Sequence, residues 1–160
     1  MLAMIPPDPP PIVGRATVID GDTLEIHGQR IRLWGIDAPE SRQTCARGGE
    51  TYRCGQEAAN ALDRLLAGST VTCEPQGRPD RYRRTVARCF MTLRIGHDVV
   101  RKVDVARHAV EQGHALDFPR YSAGAYASAE AGAREARRGV WAGTFQRPWA
   151  WRARSPRPAP

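Results

Sequence analysis

The sequence predicts an α+β domain of five short strands and three helices. Three observations carry that prediction. Residues 12 to 36 hold β-branched apolar runs broken by turn residues. Apolar spacing then switches to the helical period from residue 56. Strands and helices do not alternate in the regular order of a parallel sheet, and no internal repeat is present. A length of 160 residues fits one domain able to bury a real core.

Taken in order, Ile12 to Asp20 and Thr23 to His27 read as one long strand bent at Gly21. Gln29 to Ile36 follows as its hairpin partner across a tight turn at His27-Gly28. Leu24, Ile26, Ile31 and Leu33 alternate with polar residues, so one face should be buried, and Pro39 ends the run. Ser41 to Cys54 is polar, carries Gly48-Gly49 and reads as a surface loop. Ala59, Leu62, Leu65 and Leu66 give an amphipathic helix over Gln56 to Ala67, closed by Gly68. Thr70 to Glu74 and Thr85 to Leu93 are the next strands, separated by an arginine-rich turn, with a short strand from Leu93 to Ile95 turning at Gly96. Val99, Val103, Ala106 and Val110 predict a second helix from Asp98 to Gln112 with Asp98 as its N-cap. Ser122 should cap a third helix running to about Arg138, where Gly139 stops it. Trp141, Phe145, Trp149 and Trp151 then punctuate an irregular tail and are expected to plug a hydrophobic groove. The domain is expected to span residues 14–152, between a disordered proline-rich leader (1–13) and a disordered tail (153–160).

Twenty-four Lys and Arg against 17 acidic residues give a net charge of +7, and all but Lys102 of the basic residues are arginine. Such a surface suits a polyanionic partner, whose phosphates it attracts and whose counterions it releases. No apolar run approaches a membrane span. The four cysteines form no Cys-x-x-Cys pair and no spaced His pair accompanies them, which argues against zinc. As disulfides they permit three connectivities. Cys73 and Cys89 lie on strands flanking one turn, within bridging reach as cross-strand neighbours, so Cys45 with Cys54 and Cys73 with Cys89 is the favoured pairing. Bridges would place the protein outside the cytoplasm, secreted or periplasmic. Residues 1–11 show neither a charged n-region nor a useful apolar h-region and read as a leader or as what a removed or mis-annotated signal peptide left. His27, His97, His108 and His114 lack patterned partners and read as structural. No Ser-His-Asp arrangement, P-loop or dinucleotide fingerprint occurs.

Chemistry concentrates in Ile19-Asp20-Gly21-Asp22-Thr23 and in Arg32-Leu33-Trp34-Gly35-Ile36-Asp37-Ala38-Pro39-Glu40. Four carboxylates at strand ends repel one another unless a cation neutralises them, and hard oxygen donors suit Ca²⁺ or Mg²⁺. An arginine among them suits a phosphodiester, which it can grip with its planar fork.

These two runs, followed by Asp80-Arg81-Tyr82-Arg83-Arg84 in a basic turn, resemble the staphylococcal nuclease (thermonuclease) family over roughly Arg15 to Trp151. The resemblance implies an OB-fold, a five-stranded β-barrel with three α-helices. It implies Ca²⁺ held by Asp22, Asp37 and the Ala38 backbone carbonyl, with Asp20 in the outer shell. It further implies Arg32 and Arg84 as phosphate-gripping catalytic residues and Glu40 as the carboxylate that orients or deprotonates the attacking water. Tyr82 and Tyr121 are candidates for contact with the nucleotide. A glycine usually stands where this chain has Arg83, which leaves open whether Arg83 or Arg84 faces the phosphate. The implied activity is calcium-dependent, sugar-nonspecific hydrolysis of DNA and RNA to 3′-phosphorylated products by a monomer needing no protein partner. The alternatives are an inactive OB-fold nucleic-acid-binding module and a disulfide-stapled module for another anion such as a polysaccharide.

Overall fold

The computed structural model describes Met4 and residues 8–154. The disorder expected for residues 1–3, 5–7 and 155–160 lies outside them. In chain order the elements are β1 (Ile12–Arg15), β2 (Thr17–Asp20), β3 (Thr23–Ile26), β4 (Gln29–Leu33), β5 (Ile36–Asp37), β6 (Cys45–Arg47), β7 (Glu50–Tyr52) and α1 (Cys54–Leu66). There follow β8 (Thr70–Pro75), β9 (Thr85–Ile95), β10 (Asp98–Asp104), α2 (Val105–Glu111), β11 (Leu116–Asp117), α3 (Pro119–Ser122), α4 (Ala127–Glu135), a 3₁₀ turn (Gly139–Ala142) and α5 (Pro148–Arg154).

The main sheet runs β1-β8-β9-β4-β3-β2, with β10 added beside β9. Its two ends, β1 and β2, are consecutive halves of one extended run interrupted at Ala16, so the sheet curls until its edges meet in a single stretch of chain. Joined β1/β2 with β3, β4, β8 and β9 make the five expected barrel strands. All pairings are antiparallel except β4 with β9, where Arg32 lies opposite Val86. The expected inward face is buried: Leu24, Ile26, Ile31 and Leu33 meet Val71, Ala87, Met91 and Val110 in one core. Both cysteine pairs are bridged as favoured, Cys45 to Cys54 and Cys73 to Cys89.

Four expectations need correction. At Gly21 the chain reverses instead of bending, because β2 and β3 pair with Thr17 opposite Glu25 and Val18 opposite Leu24. The second helix begins at Val105, and Asp98–Asp104 is a strand laddered to β9. A spacing of four, as between Val99 and Val103, is also a multiple of the strand period, so it could not separate the two. Asp104, not Asp98, is the N-cap, its side chain accepting a bond from the Arg107 amide at 3.2 Å. Ser122 ends the short α3 and caps nothing ahead of α4. Its hydroxyl donates to the buried Asp117 carboxylate at 2.6 Å, and Ala123 takes a left-handed backbone that breaks the expected single helix. The loop of residues 41–54 carries the β6–β7 hairpin, with Cys45 opposite Tyr52. At the ends, β1 starts at Ile12 and α5 reaches Arg154.

A second, smaller core gathers Cys45, Cys54, Leu116 and Val140, with Tyr52, Trp141, Phe145 and Trp149 packed on it. Three of the four tail aromatics, Trp141, Phe145 and Trp149, therefore pack into this cluster, as expected, while Trp151 is not part of it. No helix among the described residues is long and apolar enough to cross a membrane.

Candidate functional site

The β2–β3 turn and the end of β4 place the first acids. Asp20 Oδ1 accepts from the Asp22 amide at 3.1 Å, which fixes the turn. Asp22 is tied forward: its carbonyl accepts from the Leu33 amide at 2.9 Å and its Oδ2 accepts from the Ala38 amide at 2.9 Å. A side chain at Gly21 would press into the methyls of Ala38 and Ala58, so glycine lets this turn tuck against the stretch that carries Asp37.

Asp37 lies on β5, which is zipped to β11 through Leu116, and its side chain is wholly buried. Arg32 projects from β4 between the two acids: one guanidinium nitrogen, Nη2, is 3.4 Å from both Asp22 Oδ2 and Asp37 Oδ1. Two carboxylates thus converge on a single point. Arg84 approaches Asp22 through Thr23, its Nη1 donating to Thr23 Oγ1 at 3.3 Å while that hydroxyl donates to Asp22 Oδ1 at 3.2 Å. Asp80, which sequence reading left without a role, organises the basic turn. Its Oδ1 accepts from the amides of Tyr82 and Arg84, and its Oδ2 accepts from Arg84 Nε at 2.7 Å.

The electrostatics follow from this crowding. Burial, and then the charge of Asp22, push the Asp20 carboxyl up to about 7. Burial opposes ionisation of Asp22 too, but Arg32, the bonds from Asp20 and the Ala38 amide, and Arg84 outweigh it and hold that carboxyl below its usual range. Burial raises Asp37, and the bonds it receives from Arg152 offset this only in part.

Glu40 stands on the loop beyond β5. Its amide donates to Gln43 Oε1 at 3.2 Å, and the Glu40 carbonyl accepts from the Gln43 amide at 2.8 Å. Gln43 is fully buried and reaches across to donate to the Gln146 carbonyl at 2.7 Å. The start of α1 closes over this loop at Gly55, where any side chain would collide with the Glu40 carbonyl.

Arg152, on α5, is the residue that sequence reading missed outright. Its Nη2 donates to Asp37 Oδ2 at 2.7 Å, and its Nη1 donates to both Asp37 Oδ1 at 2.9 Å and Glu40 Oε1 at 2.7 Å. The available signal was local: Pro148 can open a helix, and Arg152 follows Trp149 by three residues, hence on the same face. Gln43 and Asp117 gave no comparable signal, since a lone Gln in a loop and a lone Asp before an aromatic have no pattern.

Of the expected site residues, Asp20, Asp22, Arg32, Asp37, Ala38, Glu40 and Arg84 come together. Between the two turn arginines, Arg84 is the one that faces the acids, and Arg83 is exposed with a left-handed backbone, φ 64°. That is the conformation a glycine adopts freely. Tyr82 and Tyr121 are both exposed. Tyr82 stacks under Arg81 and Arg84, and Tyr121 packs edge-on against Phe118. His114 is largely buried, which lowers its pKa, and it lines a cavity of about 270 Å³ between α1 and α2, with His108 among the other lining residues.

Among the described residues no three His, Cys, Asp or Glu stand together as a metal cluster. Asp22 and Asp37, converging within 3.4 Å of one atom, with the Ala38 carbonyl next in the chain, are hard oxygen donors only. They fit a calcium-like cation that draws further oxygens from water or a phosphate, and they do not fit a thiolate- or imidazole-preferring metal.

Comparison with known proteins bears on the same residues. A family model described as staphylococcal nuclease homologue matches residues 30–143, a span that includes Arg32, Asp37, Glu40 and Arg84. The succinoglycan biosynthesis protein ExoI of Rhizobium meliloti (strain 1021) is 45% identical over 133 residues, covering 82% of this chain and 65% of that protein. The probable staphylococcal-like nuclease CAN4 of Oryza sativa subsp. japonica is 35% identical over 124 residues, 76% of this chain and 21% of that protein. An uncharacterized endonuclease of Escherichia coli O157:H7 is 30% identical over 143 residues, 86% of this chain and 82% of that protein. The chain thus spans less than two thirds of the first two relatives and most of the third. Barrel, acid–arginine cluster and matched span agree: this chain belongs to the staphylococcal nuclease homologue family.

Proposed function

We propose that the protein is a calcium-dependent nuclease that hydrolyses phosphodiester bonds of DNA and RNA and leaves 3′-phosphorylated ends. The observation that carries the reading is the convergence of Asp22 and Asp37 on Arg32, with Arg84 on one flank and Glu40 on the other. A cation bound by Asp22, Asp37 and the Ala38 carbonyl would supply charge neutralisation to the substrate phosphate. The chain's own residues do the rest. Arg32 and Arg84 grip non-bridging phosphate oxygens and stabilise the charge that builds on them as water attacks phosphorus. Glu40 takes the proton of that water, and as the bond to the 5′ oxygen breaks, Arg84 stabilises the leaving alkoxide, which takes its proton from solvent. The net charge of +7 steers the polyanion to the cleft. Tyr82 and Tyr121, both exposed, would stack on the nucleotide. The two disulfides support a secreted or periplasmic site of action, and nothing in the fold demands more than a monomer.

The test is cleavage of single-stranded DNA by purified protein in CaCl₂, against EGTA and a Glu40→Gln variant. Calcium-dependent cutting that falls about 10²–10⁴-fold in the variant is expected. Salt-sensitive binding without any cutting would replace this reading with an inactive binding module. The succinoglycan role in one relative's name favours a second reading, an acidic polysaccharide as the anion; protection of the DNA by succinoglycan would support it.

A further inference from the structure

Asp37 has two carboxylate oxygens, and Arg152 takes both. It is delivered there by a chain of anchors. A seven-residue helix such as α5 is too short to be stable alone. Trp149 packs 4.9 Å from Phe118, and Arg152, three residues on, shares its face. Upstream, Thr144 and Ala46 exchange two backbone bonds at 2.9 Å, and Gln146 is held by Gln43. Both ties lead to the loop that carries Glu40 and is stapled by Cys45–Cys54. The tail and the Glu40 loop are therefore one unit, and that unit places a guanidinium against the acids.

A calcium-like ion binds oxygen at about 2.3–2.6 Å. Of the roughly four acceptor positions on a carboxylate, Arg152 fills two on Asp37 and Arg32 a third on Oδ1 at 3.4 Å, so a cation drawing on both oxygens competes with Arg152 for them.

We propose that Arg152 is a built-in competitor for the divalent cation, clamping Asp37 to Glu40 until an incoming cation displaces it from Asp37 and releases Glu40 in the same step. The inference rests on the cation site proposed above. Arg152 supplies the planar fork that two carboxylates require, which a lysine cannot reproduce.

The experiment is calorimetric titration of CaCl₂ into chelator-stripped wild type, Arg152→Gln, Arg152→Lys, Arg154→Gln and Asp22→Asn. Arg152→Gln is expected to bind calcium about ten- to a hundredfold tighter, the equivalent of one lost charge-assisted hydrogen bond. Arg152→Lys should fall between it and wild type. Arg154→Gln, which removes the same charge from the exposed end of the same helix, should change affinity less than about twofold in ordinary salt. In heat unfolding without calcium, Arg152→Gln should melt below wild type and recover more of the difference when CaCl₂ is added. Equal or weaker calcium binding in Arg152→Gln, with binding lost in Asp22→Asn, would overturn the competitor and leave the cation site standing. Calcium binding that survives Asp22→Asn, or no binding by any of the proteins, would overturn both. Should Arg152→Gln not fold, wild-type affinity in Arg152→Lys overturns the competitor.

Discussion

Arg32 sits on β4 and Asp22 in the turn that leads into β3, strands whose inward residues Leu24, Ile31 and Leu33 are buried in the main core. Glu40 and Arg152 sit instead on a loop and a short helix backed by the smaller cluster around Cys45, Cys54, Leu116 and Val140. The first half of the site is held by a strand ladder that cannot shift without opening the barrel. The second is held by a disulfide, one buried glutamine and a few aromatic contacts, so it can open at far lower cost. On the mechanism proposed above, the difference would separate two tasks: the barrel fixes Asp22 and Arg32, and the smaller unit carries Glu40 and its partner Arg152.

Four substitutions probe that division. Leu33→Ala should cost about 2–5 kcal/mol in urea unfolding, because it leaves a cavity in the main core and loosens the strand end tied to Asp22. A cost below about 1 kcal/mol would mean that the barrel does not carry the site. Removing either disulfide should cost about 2–4 kcal/mol, but with different consequences. Loss of Cys73–Cys89 should lower the melting temperature alone, whereas loss of Cys45–Cys54 should also slow DNA cleavage at temperatures where the barrel is intact. Equal effects on activity would erase the distinction. Gly55→Ala forces a methyl toward the Glu40 carbonyl; about 1–3 kcal/mol of destabilisation is expected, with the cleavage rate falling and phosphate affinity unchanged.

The smallest effect is a pH slope. Asp20 titrates near 7 in the folded chain, above the ordinary value of 3.8 expected unfolded. Between those values the folded state holds a proton that the unfolded state has lost. Stability should therefore fall as pH rises from about 4 to 7, by at most about 1.4 kcal/mol per pH unit. Asp20→Asn, which keeps Oδ1 for the Asp22 amide, should flatten that slope in denaturation curves recorded with chelator present.

What the sequence made legible divides along the same line. The alternation of Leu24, Ile26, Ile31 and Leu33 announced the buried face, and the acids beside Arg32 announced the cluster, because both are written in residues close along the chain. Residues 98–104 misled because their spacing suits a strand and a helix equally, and pairing with β9 decided between them. Arg152 was invisible for a different reason. Its partner Asp37 lies 115 residues away, and only the packing of Trp149 and the reach of Gln43 bring the two ends together. Asp117 was missed likewise; its carboxylate serves Ser122 and Tyr126, a turn whose need for an acceptor exists only once folded.

The closure of the sheet through a single stretch has a consequence for assembly. The register of Ile12 opposite Cys73 and Arg15 opposite Thr70 makes β1 the one strand among the described residues that shields that margin of β8. A protease cut near Ala16 would leave β8 with a bare row of amides and carbonyls, a template for any free extended segment. The first four-residue strand of a second molecule fits that template by construction. Nicked or shortened chains should therefore pair by strand exchange, and how tightly residues 12–15 stay docked governs whether the protein remains a single-chain barrel at high concentration.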